Sequence, residues 1–399
     1  MGKGKILVCS HWLEIGGAES ALIGLLDELV KSEYEIHLFL CRHTGELMPH
    51  IPEGVHLLPE DVSAACVATK ISDAIRCGAI GTVLGRAFAK IRSWRHNPKE
   101  HMKDSNRAIE YSHRYVYKFV RSINPGTKYD LVLSFLAPHY IAAFRTTGKV
   151  KVAWIHTDYK AIDVDATTEK KVWEKFDKIV AVSSTCAQSF TEVYPTLADR
   201  VVVIENIMSA KLVHQQTGLI DVSTEMPDDS LRLLSIGRFC FQKNFDNVPE
   251  ICARLLKNGL NVKWYIVGFG EDEQLLRQKI AEANMKDRVI ILGKKENPYP
   301  YIKACDLYVQ PSRYEGKSVC VREAQLLGKP VVITNYATSS SQLENGVDGV
   351  IVPMDNEGCA SGISELLRAP EQMKMLIRNC RMRDYTNGSE IQKIISFVK

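Results

Sequence analysis

"LRLLSIGRFCFQKNFD", residues 231–246, runs from an aliphatic, strand-like stretch straight into a glycine and an arginine. The strand Leu231 to Ile236 would end at Gly237 and Arg238. Lys243 then stands before Asn244, whose side chain suits the N-cap of a helix starting near Phe245. Strand, turn and helix in that order form one β–α unit, and the chain repeats it. Upstream lie "KILVCS" (5–10), "EIHLFL" (35–40), "DLVLSF" (130–135), "KVAWI" (151–155) and "KIVAVS" (178–183). From residue 231 the alternation restarts and continues through "VKWYIVG" (262–268), "RVIILG" (288–293), "DLYVQPS" (306–312), "KPVVITN" (329–335) and "GVIVP" (349–353). Helical patterns such as "AESALIGLLDELVK" (18–31) separate most of them. Strands alternating with helices predict doubly wound parallel sheets. The polar, strand-poor stretch 208–229 divides two such series. The expected fold is α/β, in two tandem domains.

Bulk properties agree with that expectation. A chain of 399 residues can bury two ordinary cores. With 45% hydrophobic and 25% charged residues and a net charge of +4, it reads as a soluble globular protein. That balance argues against nucleic acid as a partner. The eleven cysteines are scattered and never form a C-x-x-C pair. With no leader-like N-terminus, they are expected as free thiols in a reducing cytoplasm. No apolar run approaches the roughly 20 residues of a spanning helix.

Ligands of open parallel sheets bind beyond the carboxyl ends of the strands, so the residues there carry the functional reading. Gly16-Gly17 precedes a helix with Glu19 in its first turn. A tight turn needing glycine and a loop whose amides meet an anion or sugar are both open there. His156 follows "KVAWI" in "IHTDY". A lone histidine is more often structural, but its place at a strand's carboxyl end favours a ligand role. Asp158 suits a turn or helix start. Arg238, Lys243 and a helix N-terminus would converge on one spot, which suits a diphosphate better than a solvated basic loop. No G-x-G-x-x-G follows the first strand, and "GFGEDE" from Gly268 lacks the third glycine. A nicotinamide dehydrogenase is disfavoured accordingly. No residues show metal-ligand spacing.

"SRYEGKSVCVREAQLLGKPVV", residues 312–332, places Glu315 and Glu323 eight positions apart. On a helical wheel Glu323 falls between Val319, Leu326 and Leu327, on the apolar face. A carboxylate there needs a polar partner.

G-R-F followed by K-N-F-D, the E-G-x6-E-A-x3-G-K-P-V-V run and "IVGFGEDEQLL" together resemble glycosyltransferase family 4. The resemblance extends to Gly16-Gly17-Ala18-Glu19, "IHTDY" and "VIENI" (203–207), so it covers nearly the whole chain. It implies the GT-B architecture, two Rossmann-like doubly wound parallel-sheet domains facing a cleft. An acceptor domain would take residues 1–207, with 381–399 packing back on it, and a nucleotide-sugar domain 208–380. It also implies transfer of a sugar from a nucleotide donor with retained anomeric configuration and no bound metal or cofactor. The donor would be a UDP-sugar first of all. Arg238 and Lys243, with Gly237 in the same loop, would hold the donor diphosphate. Glu323 would accept from the ribose hydroxyls, and Glu315 would lie near the transferred sugar. The backbone at Gly316, Lys317, Ser318 and Val319 would add amide donors. Gly17 would let the first loop approach the donor phosphate or the acceptor, and His156 would contact the donor sugar. Many relatives carry an aromatic residue and a glycine where this chain has Lys317 and Ser318. Lys317 is therefore where donor specificity is expected to differ.

Segment 70–103 holds eight Lys/Arg against Asp73 and Glu100, eight minus two giving +6. Ile71, Ile75, Ile80, Val83, Leu84, Phe88, Ile91 and Trp94 are interleaved. It reads either as a helix pair with a solvated basic face or as a surface resting on anionic lipid. The combined expectation is a retaining transferase acting on a glycan or lipid-linked glycan acceptor in surface polysaccharide biosynthesis, at the cytoplasmic membrane face. A nucleotide-sugar-binding protein without turnover and a GT-B nucleotide-sugar isomerase are the alternatives.

Overall fold

The computed structural model describes residues 3–14, 16–67, 71–96, 106–157, 159, 162, 164–315 and 317–398. Asp158 and Gly316 lie outside the described residues, as do Lys70, Lys99, Glu100 and Lys103 of the basic segment. Two all-parallel sheets organise the chain, in two units.

The first unit spans Met1–Ser209 and Asn387–Lys399. Its strands are β1 (Lys5–Ser10), β2 (Glu35–Leu40), β3 (Val55–Leu57), β4 (Tyr129–Ser134), β5 (Gly148–Ile155), β6 (Lys178–Ala181) and β7 (Val201–Val203). They lie in the order β3-β2-β1-β4-β5-β6-β7. Val8 of β1 pairs with Leu38 on one side and Leu133 on the other. Strands covered on both faces read as continuous apolar runs, as "KILVCS" and "DLVLSF" do. The sheet edges β3 and β7, VHL and VVV, have three residues each, too short to stand out in the sequence. After Thr386 the chain returns to this unit. There the Asn387 side chain donates to the Asn206 carbonyl at 3.1 Å, and Ile394 of the final helix is fully buried.

The second unit, Ala210–Thr386, carries β8 (Leu231–Ile236), β9 (Val262–Val267), β10 (Val289–Gly293), β11 (Leu307–Gln310), β12 (Val331–Thr334) and β13 (Val350–Val352). Their order is β10-β9-β8-β11-β12-β13. Alternate strand residues enter different apolar clusters, since side chains along a strand point to opposite faces. Leu233, Trp264, Ile266, Leu307 and Val309 join one, whereas Leu234, Tyr265, Val267 and Tyr308 join the other. Residues 381–386 stay with this unit. The Arg383 guanidinium reaches Asp348 at 3.0 Å and Glu344 at 2.6 Å, and the Tyr385 hydroxyl donates to Asp348.

Strand order reverses between β1 and β4 in the first sheet and between β8 and β11 in the second. Loops leaving such neighbouring strands diverge and open a crevice at the carboxyl end. Among the described residues no helix is long and apolar enough to cross a membrane. No disulfide joins the described cysteines.

Candidate active site

The loop after β8 begins at Gly237, where a Cβ would sit 3.1 Å from the Lys243 side chain. Glycine there lets the lysine stem pass over the turn. Gly268, at the end of β9, has φ +152, and a Cβ on it would lie 1.9 Å from the Gly237 carbonyl oxygen. Both glycines are therefore fixed by close approach of backbone and side chain. A 3-10 turn over Phe241–Lys243 leads into Asn244, which is left-handed at φ 59.

Asn244 does not cap a helix from Phe245 as its sequence position suggests. Its amide donates to the Pro311 carbonyl at 2.9 Å, and its oxygen accepts from Asn247 at 2.7 Å. The α-helix starts only at Val248. That reassignment ties the loop after β8 to the loop after β11. The Arg313 amide donates to the Gln242 carbonyl at 2.8 Å, and its guanidinium pairs with Asp246 and stacks 4.1 Å over Phe241.

Across this junction Lys243 Nζ meets Glu315 Oε1 at 2.6 Å, with both side chains largely buried. Ser312 Oγ donates to the same oxygen at 2.6 Å, and Gln242 Nε2 donates to Oε2 at 3.2 Å. Behind Ser312 a hydrogen-bonded chain runs through Gln310 to the Tyr308 hydroxyl on β11. The Glu315 carboxylate is thus held in one orientation by a cation and two neutral donors. Arg238 is exposed and makes no hydrogen bond or ion pair among the described residues.

Glu323 is 6% exposed, within the helix Val319–Leu326. Its polar partner is Tyr299, whose hydroxyl donates to Oε1 at 2.9 Å. Burial raises its pKa, and the hydrogen bonds from Tyr299 and the Cys320 thiol partly offset that. Lys317 is half-buried and Ser318 buried just ahead of the helix. The Ser318 amide, expected as a free donor, is already committed to Gln342 Oε1 at 2.7 Å, and the Gln342 amide returns a bond to the Ser318 carbonyl. Val319 opens the helix, where first-turn amides lack intrahelical partners. Lys243, Glu315, Gly237 and the 317–319 turn therefore come together. Gln242, Ser312 and Tyr299 were not anticipated. Ser312 could have been, since it follows a strand's carboxyl end, whereas Tyr299 gives no local signal.

In the first unit, Gly17 is the first residue of the helix Gly17–Leu29, and a Cβ there would meet nothing within 4 Å. Packing does not demand glycine at that position. His156 is half-buried after β5, with Nε2 2.9 Å from the Phe135 carbonyl oxygen. Burial lowers its pKa to about 4, so the ring is neutral at pH 7. A carbonyl can only accept, so Nε2 carries the proton and Nδ1 is left as an acceptor.

Family models match both units. Residues 15–210 match the model described as Glycosyltransferase Family 4, and residues 219–383 match Glycosyl transferases group 1. The chain belongs to glycosyltransferase family 4. An Escherichia coli relative, UDP-Gal:alpha-D-GlcNAc-diphosphoundecaprenol alpha-1,3-galactosyltransferase, is 28% identical over 41% of this chain and 43% of its own length. The amylovoran biosynthesis glycosyltransferase AmsK of Erwinia amylovora is 30% identical over 34% of this chain and 35% of its own. The chain thus matches less than half the length of these relatives. Among solved structures, Anabaena HepE in complex with UDP and glucose covers 98% of this chain at TM-score 0.64 and 18% identity, with 99% of HepE covered. S. aureus TarM reaches TM-score 0.66 at 14% identity, covering 99% of this chain and all of its own. Both likenesses show the GT-B fold.

This family 4 chain also has an open cavity of about 210 Å³ in its first unit, beyond the carboxyl ends of β4 and β5. His156 lines it together with Glu110, His139, Tyr140, Glu169 and Trp173. His139 Nδ1 lies 2.8 Å from Ser134 Oγ, and burial holds its pKa down at about 3. Glu169 accepts from the hydroxyls of Tyr159, at 3.1 Å, and Tyr194. Among the described residues Glu110 accepts a long 3.4 Å bond from Tyr140 on Oε1. Its Oε2 is buried with no hydrogen-bond partner among the described residues, and burial pushes its pKa up to about 9.

Proposed function

We propose that the protein moves a sugar from a nucleotide-diphosphate sugar to a glycan acceptor, with retention of configuration and without a metal ion. The observation that carries this reading is the Lys243–Glu315 pair, clamped between two loops at a sheet switch point, beside the exposed Arg238. Breaking a glycosyl–phosphate bond places negative charge on the departing diphosphate, and cations already in position stabilise it. Lys243 supplies a point charge there and Arg238 a forked donor. The first-turn amides of the helix Val319–Leu326 add partial positive charge. In a front-face substitution the C1–O bond to phosphate breaks while the acceptor oxygen bonds C1 on the same side. The acceptor proton then passes to the leaving phosphate oxygen. A carboxylate has about four lone-pair sites, so Glu323 can keep Tyr299 and still accept from ribose hydroxyls. His156 offers Nδ1 to a hydroxyl of the transferred sugar.

The Anabaena structure holds UDP and glucose, and the E. coli relative is named for UDP-Gal. We therefore put UDP-sugars first as donors. That relative is also named for a diphosphoundecaprenol-linked sugar, and AmsK for amylovoran biosynthesis. A lipid-linked glycan acceptor of surface polysaccharide assembly follows, met at the cytoplasmic face of the membrane.

The helix Ile80–His96 supports that placement. Ile80, Leu84, Phe88 and Ile91 are all exposed and fall within an arc of about 80°. Exposed Lys90 and Arg92 flank the stripe on its two sides. An apolar stripe edged by cations fits an anionic lipid surface, where each cation adds about 1 kcal/mol.

A panel of nucleotide sugars with product analysis by NMR tests the chemistry. Acceptor-dependent transfer with retained configuration is expected. Conversion of donor without acceptor would point to an isomerase, and binding without turnover to a sugar-nucleotide-binding protein. For the surface, Phe88→Glu should weaken sedimentation with anionic vesicles at low salt. Equal and negligible binding of the unaltered protein to anionic and neutral vesicles would sink the membrane assignment.

A further inference from the structure

The cavity in the first unit has chemistry that the donor reactions leave unused. Glu110 is 9% exposed, lines the cavity, and has one carboxyl oxygen without a partner among the described residues. A buried polar atom left unpaired costs about 1–3 kcal/mol, so the site is built to be completed by something that hydrogen-bonds. The lining also includes the aromatic rings of Trp173, Tyr159 and Phe135. Such rings bury the flat apolar face of a sugar while polar groups meet its edge.

Charge narrows the occupant further. Glu110 and Glu169 line the cavity, and Asp165, which accepts from Tyr111, stands close enough to both to raise their pKa values. No lysine or arginine is among the described residues lining it. Among the described residues Arg114 acts on Glu110, Arg86 acts on the lining His113, and Arg92 lies 3.9 Å from Asp165. An anionic ligand would meet carboxyls with no lining cation to offset them. A bare hydrocarbon chain would leave Glu110 unpaired. The carboxyl of Glu110 is kept protonated by burial, up to about pH 9, so at neutral pH it can donate as well as accept.

We propose that this cavity seats one uncharged sugar ring of the acceptor, its hydroxyls or N-acetyl group on Glu110 and its apolar face on the aromatic rings. The word acceptor rests on the transferase reading; the sugar site itself does not. Glu110 acts here as a specificity-determining residue, with no part in the diphosphate chemistry assigned to Lys243.

The test uses the full chain and methyl glycosides as probes: neutral hexosides, N-acetylhexosaminides and hexuronides. Saturation-transfer NMR and the emission of Trp154 and Trp173, both at the cavity, report binding. A neutral glycoside should bind at least 10-fold more tightly than its hexuronide. Glu110→Gln, which keeps both hydrogen-bonding roles, should stay within about 3-fold, while Glu110→Leu should lose 10-fold or more. Thermal melting and UDP titration accompany each variant. Intact melting and UDP binding in Glu110→Leu would confine its loss to the cavity. Equal binding of hexuronide, unchanged affinity in Glu110→Leu, or no binding of any glycoside would overturn the assignment. Glycoside binding by a protein that never binds UDP would instead overturn the donor reading and leave this one standing.

Discussion

The two units share one scaffold and put opposite chemistry on it. Each is a parallel sheet with a switch point, and each gathers ionisable groups beyond the strand ends. In the second unit those beside the loop after β8 form close ion pairs, Lys243 with Glu315 and Arg313 with Asp246. In the first they are driven neutral: burial lowers His139 and His156 and raises Glu110. Partnership explains the difference. Glu315 has a lysine, a serine and a glutamine around its two oxygens, whereas Glu110 has one long contact from a tyrosine. A charge-stabilising surface and a neutral, hydrogen-bonding hollow thus come from the same topology, and the loops choose between them.

The sharpest way to break this contrast is to remove the paired cation. Lys243→Ala should lower the transfer rate about 100–1000-fold, the range for losing one preorganised charge-stabilising group. Glucosyl or galactosyl transfer from the UDP-sugar is the measurement, with melting temperature recorded alongside. A rate within 3-fold of the unaltered protein would remove the second unit's ion pair from the chemistry.

A smaller effect is expected one step back from the phosphate. Glu323→Ala should raise the donor KM by roughly 10-fold or more, since hydrogen bonds to a charged group contribute about 1.5–3 kcal/mol. Tyr299→Phe removes only the hydroxyl on Oε1 and should change KM a few-fold. If the two variants behaved alike, Glu323 would be serving Tyr299 rather than a ribose.

How far these contrasts could be read from sequence follows the same division. The long strands were legible because a strand covered on both faces is apolar throughout; β3 and β7, at three residues, are too short to show a period. Lys243, Glu315 and Glu323 were legible because they sit in loops and a short helix adjoining strands. Their partners were less so: Gln242 and Glu315 are 73 positions apart, and Tyr299 and Glu323 are 24. Glu110 was invisible. It lies in "NRAIEYSHRYV", a polar helix on which a glutamate looks solvated, and only tertiary packing buries it. Asn244 was misassigned because its favoured left-handed conformation and its capping preference come from the same short polar side chain.

The mildest test addresses the neutral groups through pH. An unfolded histidine titrates near 6.5, but His156 is lowered to about 4 and His113 and His139 to about 3 by burial. Between those values the unfolded chain binds more protons, so stability is full above pH 6.5 and falls as pH drops toward 4. Glu110 has the opposite sign. Its folded pKa of about 9 stands above the ordinary 4.5, so its contribution is full below pH 4.5 and is lost as pH rises through 9. Glu110→Gln deletes that second slope, which opposes the first between pH 4.5 and 6.5, although Glu169, raised in the same direction, keeps part of the decline. Urea midpoints from pH 4.5 to 9.5 should therefore fall on both sides for the unaltered protein. For Glu110→Gln the decline above pH 6.5 should be flatter, and the limb between pH 4.5 and 6.5, where Glu110 opposes the histidines, steeper. Curves that superimpose up to pH 9.5 would mean Glu110 is ionised and paired, and the two units would then differ in geometry but not in kind.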